Sequence, residues 1–266
     1  MATLSMNEIT TFRWSFEEDV RQFVSAGYGA IGVWRHKLSD FGEEKGIELL
    51  FESQLGVSSL LWAGGFTGSD GRSFKDSVED AREAVRLAGE MKAPCLVVYT
   101  GSRGGHTHNH ARRLIKGALN ELSAVAGESG VTLALEPMHP GCAAEWTFLT
   151  NVAETLELVQ AVGKPNVKLV LDTYHLFQDA PDLDGLAELV PHVALVQLGD
   201  AKRPPQGEQN RCRLGEGSVP LREIVNGLSS AGYDGYYEIE LLGEDVEADD
   251  YATLLSDSKR AFDEWT

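Results

Sequence analysis

The chain has 266 residues, of which 42% are hydrophobic, and its 23 Lys and Arg residues are outnumbered by 41 Asp and Glu residues, giving a net charge of −18. This length is enough for one large domain with a single core. The acidic charge argues against a nucleic-acid backbone as the main partner, because such binding needs a basic surface.

Eight short apolar segments are typical of strands that are buried on both faces. In chain order they are residues 8–14 (EITTFRW), 30–34 (AIGVW), 57–64 (VSSLLWAG), 95–101 (CLVVYTG), 131–137 (VTLALEP), 167–175 (VKLVLDTYH), 193–200 (VALVQLGD) and 236–243 (YYEIELLG). A helical pattern follows each strand, at residues 15–27, 44–56, 74–91, 110–130, 148–163, 183–190, 220–232 and 250–265. The first helix begins at Ser15 and has acidic residues in its first turn, a favourable start for a helix.

Eight strand–helix units have the size and rhythm of an α/β fold, the (β/α)8 TIM barrel. The structural alternative is a doubly wound open sheet, which normally has fewer strands and a GxGxxG segment after the first one, and that segment is missing here. We therefore predict the barrel. Its two longest loops, residues 100–110 and 198–220, would lie on the C-terminal face, where barrel active sites are built.

The sequence also predicts the cellular location of the protein. No run of about eighteen apolar residues occurs, so we expect no transmembrane helix. The N-terminal segment lacks a basic region followed by an apolar one, so we expect no secretory signal. The three cysteines have no CxxC spacing, and their odd number argues against a disulfide framework. A reducing cytoplasm is the expected location.

Four side chains with free oxygens stand at the ends of successive predicted strands, namely Glu136, Asp172, Gln197 and Glu240. A carboxylate beside an apolar core is costly unless it is paired or bound to a cation. One such residue can be a turn residue or a helix cap, but four on successive strands suggest oxygen ligands that converge on one point. Glu238 is an alternative to Glu240 as the candidate ligand of the last strand, because alternate residues of a strand share a face.

Three segments carry a family resemblance: LALEP at 133–137, LDTYH at 171–175 and GYDGYYEIE at 232–240. In order and separation they are similar to motifs of the xylose-isomerase-like TIM-barrel superfamily, which includes ketose 3-epimerases, hydroxypyruvate isomerase, inosose dehydratases and apurinic endonucleases. The resemblance covers nearly the whole chain and implies one TIM-barrel domain over residues 1–266. It implies a small-molecule, carbohydrate-like substrate, and it leaves a homo-oligomer open, since oligomers are common in the superfamily. The acidic charge and the lack of a long apolar run lead us to expect no nucleic-acid or membrane partner.

The resemblance further implies one divalent metal held by Glu136, Asp172, Gln197 and Glu240. Gln197 stands where the epimerases have His and where hydroxypyruvate isomerase has Gln. Three carboxylates and an amide oxygen favour Mn²⁺ or Mg²⁺ over Zn²⁺, which prefers nitrogen and sulfur ligands. In this interpretation the metal binds the substrate carbonyl and the adjacent hydroxyl oxygen, and so acidifies the C–H bond between them.

The same resemblance assigns roles to further residues. Glu136 and Glu240 would remove and return the substrate proton through an enediolate. His175 would contact the substrate oxygen, and Arg211 would stabilise negative charge or bind a carboxylate. The alternatives are ordinary structural ones, a packed histidine and a solvated arginine.

Candidates with weaker patterns complete the site. His139 lies near the expected pocket, and Trp34 and Trp62, at the ends of the second and third strands, could stack on a sugar face, although such aromatics are more often core residues. Three alternate histidines in the loop 100–110 could bind a second metal, but such a loop is more often solvated. Asp200 could orient a neighbouring ligand.

These features predict a metal-dependent isomerase or epimerase of a small keto sugar, keto acid or polyol. A dehydratase of an inosose-like substrate on the same metal site is the alternative. An apurinic endonuclease is a remote one, because its D-x-H ligands are replaced by residues 209–211 (QNR). A non-catalytic barrel is disfavoured, since converging carboxylates would repel one another without a cation.

Overall fold

The computed structural model describes residues 3–176 and 185–266. Within these ranges, eight parallel strands close into a barrel in the order β1 to β8, with β1 paired to β8. The strands are β1 Thr3–Asn7, β2 Ala30–Trp34, β3 Gly56–Gly64, β4 Cys95–Tyr99, β5 Thr132–Leu135, β6 Val167–Asp172, β7 Val193–Leu198 and β8 Tyr236–Ile239. The predicted (β/α)8 TIM barrel is confirmed.

Helices connect the strands and pack against the outside of the sheet. They are α1 Phe16–Ser25, α2 Arg35–Phe41, α3 Glu43–Ser53, α4 Phe74–Glu90, α5 His108–Glu128, α6 Val152–Val162, α7 Thr173–Leu176, α8 Leu186–Leu189, α9 Leu221–Ser230, α10 Glu244–Glu247 and α11 Tyr251–Asp263. The predicted N-cap is confirmed, since the Ser15 side chain accepts a hydrogen bond from the Glu18 backbone N–H. None of the helices in the described ranges has the length and apolar character needed to cross a lipid bilayer.

The helix that follows β6 agrees only in part with its prediction at 183–190. The structure has α8 at Leu186–Leu189, and residues 183 and 184 of the predicted helix lie outside the described residues. Helix α2 was not predicted, because its seven residues are too short to show a clear helical period.

The predicted position of the first strand is wrong. The structure places β1 at Thr3–Asn7, and the predicted residues 8–14 form turns instead. Ser5 and Asn7 point into the barrel, where both are buried and hydrogen-bonded. Because polar residues occupy its inward face, β1 lacks the apolar run by which the other strands were recognised, whereas the β-branched and aromatic residues of the turn imitate one.

The strand ends decide where the candidate ligands stand. Asp172 is the last residue of β6, while Glu136 and Glu240 each lie just beyond the last residue of β5 and β8. Both glutamates continue the sheet ladder, since their backbone N–H groups donate to the carbonyls of the neighbouring strands. His175 was predicted at the end of a strand but stands on the single helical turn α7.

Two of the three apolar clusters among the described residues shape the barrel. A large cluster lies between the sheet and the helices, and a small one fills the inside of the barrel with Leu61, Cys95, Val97, Ala134, Val170 and Leu195. Side chains alternate along a strand, so residues two positions beyond these also face inward. Ala134, Val170 and Leu195 are therefore followed, one layer higher, by three of the candidate ligands.

Candidate active site

The candidate ligands converge at the C-terminal end of the barrel. Glu136, Asp172, Gln197 and Glu240 are all buried, with exposed fractions of 3%, 0%, 0% and 6%. Hydrogen bonds and ion pairs link them through Arg211 and His175, as described below. The sequence prediction that these strand ends meet is therefore supported by the geometry of the closed barrel.

Arg211 bridges two of the carboxylates. Its Nη2 donates to Asp172 Oδ2 at 2.8 Å and to Glu240 Oε1 at 3.0 Å. The guanidinium also stacks on the Tyr174 ring at 4.6 Å and donates to Gln209 Oε1. The side chain is completely buried although it belongs to a long loop. The solvated alternative for Arg211 is excluded, and its contacts place it beside the predicted ligands.

His175 faces the same carboxylates. Its Nε2 lies 3.8 Å from Glu136 Oε1 and 3.9 Å from Asp172 Oδ2. One ligand atom from each of these three residues lies within 4.8 Å of the others, an arrangement that could hold a metal ion. The backbone N–H of His139 donates to His175 Nδ1 at 3.3 Å, and burial lowers the pKa of His175 to about 3.

This hydrogen bond identifies the tautomer of His175. A neutral imidazole that accepts at Nδ1 carries its hydrogen at Nε2, so the atom that faces Glu136 and Asp172 is a donor. His175 is thus better suited to donate a hydrogen bond than to bind a cation, although it lies within ligand distance. His139, predicted to contact substrate, acts on this ring through its backbone, and its own Nδ1 accepts from the Gly141 N–H.

The charge of the site favours a cation. Burial, and then the charges of Glu240 and Asp172, raise the pKa of Glu136 well above its ordinary value. Burial also raises the pKa of Glu240 to about 7, with Arg211 acting in the opposite direction. When these three carboxylates are ionised together, their charge exceeds that of the one guanidinium, and burial makes that state unfavourable without a further positive charge.

Gln197 offers an acceptor to such a cation. Its Nε2 donates to Glu240 Oε2 at 2.7 Å and to Glu238 Oε1 at 3.2 Å. Its Oε1 is buried and has no hydrogen-bond partner in the part of the chain that the structure describes. A buried amide oxygen without a partner, on a strand that pairs with those of Asp172 and Glu240, is the kind of hard donor that a divalent cation prefers.

An aromatic cavity of about 580 Å³ lies at the barrel mouth. Trp34 and Trp62 both line it, and their ring centroids are 6.5 Å apart; contact of these rings with substrate stays a prediction. Trp146 stands 5.3 Å from Trp62 and adds a third indole that the sequence analysis did not identify. Trp146 belongs to the loop after β5, and its sequence has no periodic signal that could have placed it there.

Two further predictions have clear outcomes. The loop histidines do not join the metal-binding group found among the described residues, since the rings of His106 and His110 stack at 4.7 Å and His108 pairs with Glu154. Within the described residues, the hydrogen bonds of the Asp200 carboxylate do not reach a candidate ligand. Its carboxylate instead accepts backbone N–H groups of the loop that carries Arg211.

Comparison with known proteins gives the chain its relatives. The profile of a family described as xylose isomerase-like TIM barrel matches residues 20–262. An inosose isomerase from Halalkalibacterium halodurans is 26% identical over 193 residues, which are 70% of this chain and 66% of the relative. A putative hydroxypyruvate isomerase from Streptomyces coelicolor is 32% identical over 202 residues, which are 73% of this chain and 68% of the relative.

Solved structures resemble the fold over its whole length. A protein from Sinorhizobium meliloti 1021 superposes with a TM-score of 0.90 at 25% identity, covering 98% of this chain and 97% of its own. The IOLI protein with a bound zinc atom has a TM-score of 0.85 at 19% identity, covering 99% of this chain and 97% of its own.

Proposed function

This chain belongs to the xylose isomerase-like TIM-barrel family, and from that membership we propose that it is a divalent-metal-dependent isomerase or epimerase of a small keto sugar, keto acid or polyol. It is an enzyme of the sugar isomerase and epimerase class, as its named relatives are. The observation that carries the finer proposal is a linked set at one end of the barrel: buried carboxylates joined through Arg211 and His175, and the Gln197 amide, whose Oε1 has no partner among the described residues.

We assign the metal to Glu136, Asp172, Gln197 and Glu240, with Mn²⁺ or Mg²⁺ favoured by their oxygen atoms. The bound cation would supply a Lewis acid that polarises the substrate carbonyl and its neighbouring hydroxyl. Zinc is the competing metal, because a relative in fold carries it. Elemental analysis decides between them.

The protein side chains would move and stabilise the proton. Glu136 and Glu240 extend from β5 and β8, which are separated by two strands, so each could reach a different side of one substrate carbon. The pKa of Glu240, raised by burial to about 7, suits a group that accepts and returns a proton near neutral pH, and burial raises the pKa of Glu136 in the same direction. His175 would donate from Nε2 to a substrate oxygen, and Arg211 would orient Glu240 and offset the negative charge that develops there.

The cavity supports a carbohydrate-like substrate. Indole rings at a barrel mouth present flat apolar faces, which match the C–H face of a sugar or cyclic polyol. A volume of about 580 Å³ also exceeds the need of a three-carbon acid. We therefore favour a five- or six-carbon ketose or an inosose as substrate. The three cysteines are free, which agrees with a reducing cytoplasm as the proposed location.

A deuterium-exchange assay tests the function. Purified protein, analysed for its metal content, is stripped by chelation, reloaded with Mn²⁺ and incubated with ketoses, inososes or hydroxypyruvate in D₂O. We expect one metal per chain, isomer formation, and deuterium on the carbon next to the carbonyl. The variants Glu136→Gln and Glu240→Gln should each lose at least about 100-fold in kcat, whereas Asp263→Asn, in an exposed ion pair, should not.

The contrary outcomes are distinct. Full turnover after chelation would remove the metal from the proposal, and full turnover in either Glu variant would remove the acid/base assignment. A product that has lost water would make the protein a dehydratase on the same site.

A further inference from the structure

A fourth carboxylate lies inside the barrel, two residues before Glu240 on β8 and in register with Gln197 on β7. Glu238 is completely buried. Ser58 and Ser59 donate to its Oε2, each at 2.6 Å, and Asn7 Nδ2 and Gln197 Nε2 donate to its Oε1 at 2.8 and 3.2 Å. These four hydrogen bonds saturate both oxygens of an ionised carboxylate.

The surrounding strands make room for this carboxylate. Gly32 on β2 faces it, and a Cβ at that position would collide with the Glu238 carboxylate. Barrel interiors are usually filled by branched apolar side chains, and a buried charge is costly unless its hydrogen bonds are satisfied. A glycine, two serines and an asparagine on three other strands therefore form a site that is shaped for Glu238.

Glu238 and Glu240 share two donors. Asn7 Nδ2 also donates to Glu240 Oε2 at 3.0 Å, and Gln197 Nε2 donates to the same oxygen at 2.7 Å. The amide nitrogen of Gln197 is thus held between two carboxylate oxygens. A primary amide has one donor end and one acceptor end, so this arrangement turns the Gln197 oxygen away from Glu238 and leaves it for another partner.

We propose that Glu238 is a positioning residue that fixes the Gln197 amide so that its oxygen, not its nitrogen, serves the cation. This inference rests on the proposed function. Both Glu238 and Glu240 accept a hydrogen bond from the Gln197 amide nitrogen. Glu240 is itself a proposed ligand, so of these two carboxylates Glu238 is the one that can orient the amide without also binding the cation. Without Glu238 the amide can rotate by half a turn and present an NH₂ group, which cannot bind a cation.

A double-mutant cycle on Mn²⁺ affinity tests the inference, with titration calorimetry on metal-stripped protein. Glu238→Ala should weaken Mn²⁺ binding by about 10-fold or more, the usual effect of losing a group that orients a ligand. In a Gln197→Ala background the same change should cost less than about threefold, because the ligand that Glu238 orients is already gone. Equal losses in both backgrounds would show a merely structural role and overturn the proposal.

A conservative variant separates orientation from charge. Glu238→Gln can keep an oxygen toward Asn7 and Gln197 while its NH₂ group faces the two serine hydroxyls, so binding should stay within about threefold of the parent. A loss as large as that of Glu238→Ala would contradict the proposal. Gly32→Ala would displace the carboxylate without altering its charge, so it should weaken Mn²⁺ binding as Glu238→Ala does. It serves as the test if Glu238→Ala does not fold.

The matched control lies in the same polar layer. Ser5 Oγ is hydrogen-bonded to Ser58 Oγ at 2.6 Å and touches neither Gln197 nor Glu240 in any recorded hydrogen bond. Ser5→Ala should therefore leave Mn²⁺ affinity unchanged. If the parent protein itself binds no Mn²⁺, the proposed metal site fails and this inference fails with it, whereas parent binding with equal losses in both backgrounds overturns the inference alone.

Discussion

Arg211 is the largest side chain that the described structure buries completely, and its position explains the chemistry of single residues in this site. It pairs with Asp172 and Glu240, both proposed ligands. Breaking a buried ion pair by removing one partner leaves an uncompensated charge, which is strongly destabilising. Arg211 therefore pairs with two carboxylates at once, and when both are ionised their excess negative charge is one that the proposed cation would balance.

The raised pKa of Glu240 makes metal affinity depend on pH. A carboxylate must be ionised to bind a cation, and burial raises the pKa of Glu240 to about 7. We expect Mn²⁺ affinity to fall by about tenfold per pH unit below pH 7, as each ion displaces at least one proton. Calorimetry between pH 5.5 and about 8 in buffers of different ionisation enthalpy measures both affinity and proton release. An affinity that is constant across this range would contradict the prediction.

The same shift has the opposite consequence for the metal-free protein. Between the ordinary value of 4.5 and about 7, the folded protein keeps a proton on Glu240 that the unfolded chain has lost. In this window the folded state binds more protons than the unfolded state. The contribution of Glu240 to stability therefore falls as the pH rises through it. Urea unfolding of chelated protein should show this decline.

Hydrogen bonds to Asp200 stabilise the loop between β7 and α9. Its carboxylate accepts from the N–H groups of Ala201, Gly215, Gly217 and Val219, at 2.8 to 3.2 Å. These bonds close the loop between β7 and α9 on itself. Arg211 lies inside this loop, so the fold of the loop determines where the guanidinium stands.

Replacing Asp200 by Asn should loosen this loop. One acceptor oxygen is lost, and buried backbone N–H groups without acceptors cost about 1–3 kcal/mol in the free energy of unfolding. Urea unfolding should show that loss, and kcat should fall because Arg211 is less well placed. Asp263→Asn, in an exposed pair with Lys259, should change stability by less than about 1 kcal/mol. Equal stability of the two variants would contradict the role given to Asp200.

A second buried pair joins the first turn of the chain to α1 and α2. Lys37 is 7% exposed; it pairs with the buried Asp19 and donates to the backbone carbonyls of Glu8 and Thr11 at 3.1 and 2.9 Å. The unpredicted helix α2 thus carries Lys37, whose ammonium group binds backbone carbonyls of the turn that was predicted to be the first strand.

Lys37→Met should be among the most destabilising substitutions outside the site. It leaves Asp19 buried without its cation, at a cost of about 3–5 kcal/mol in the free energy of unfolding. Denaturant melts measure it, with Lys259→Met, in an exposed pair, as the control. A loss no larger than that of the control would mean that Asp19 finds another partner.

At the scale of the whole molecule, closure of the barrel brings together side chains that are far apart in the chain. The ligands come from four neighbouring strands, and Asn7 joins them because β1 pairs with β8. A cation that binds only this closed arrangement must stabilise the folded state. Metal binding, as proposed, would therefore be coupled to global stability.

Thermal and urea melts should reveal that coupling. At about 100 times its Kd, Mn²⁺ should add about 2.7 kcal/mol to the free energy of unfolding of the parent protein. Glu136→Gln should lose most of this gain, since a ligand is removed. Melts that are the same with and without Mn²⁺ would contradict the metal site as a whole.

The sequence by itself determined the parts that depend on near neighbours. The apolar runs that ended at Glu136, Asp172 and Gln197 marked their strands correctly, because residues buried on both faces must be apolar in series. Their order along the chain was enough to predict the barrel and the side chains at its mouth. Where the inward residues are polar, as Ser5 and Asn7 are, the same signal was missing and β1 was misplaced.

Only the tertiary structure decided which atoms meet. The burial of Arg211 between two carboxylates, the tautomer of His175 and the use of Gly32 as space for Glu238 all depend on contacts between residues far apart in the chain. No local pattern encodes these contacts. From the sequence alone, an arginine in a loop is expected to be solvated, and Glu238 is only an alternative to Glu240. Their interpretation follows from the closed barrel, where Glu238 finds four donors and is proposed as a support, whereas Glu240 is one of the proposed ligands.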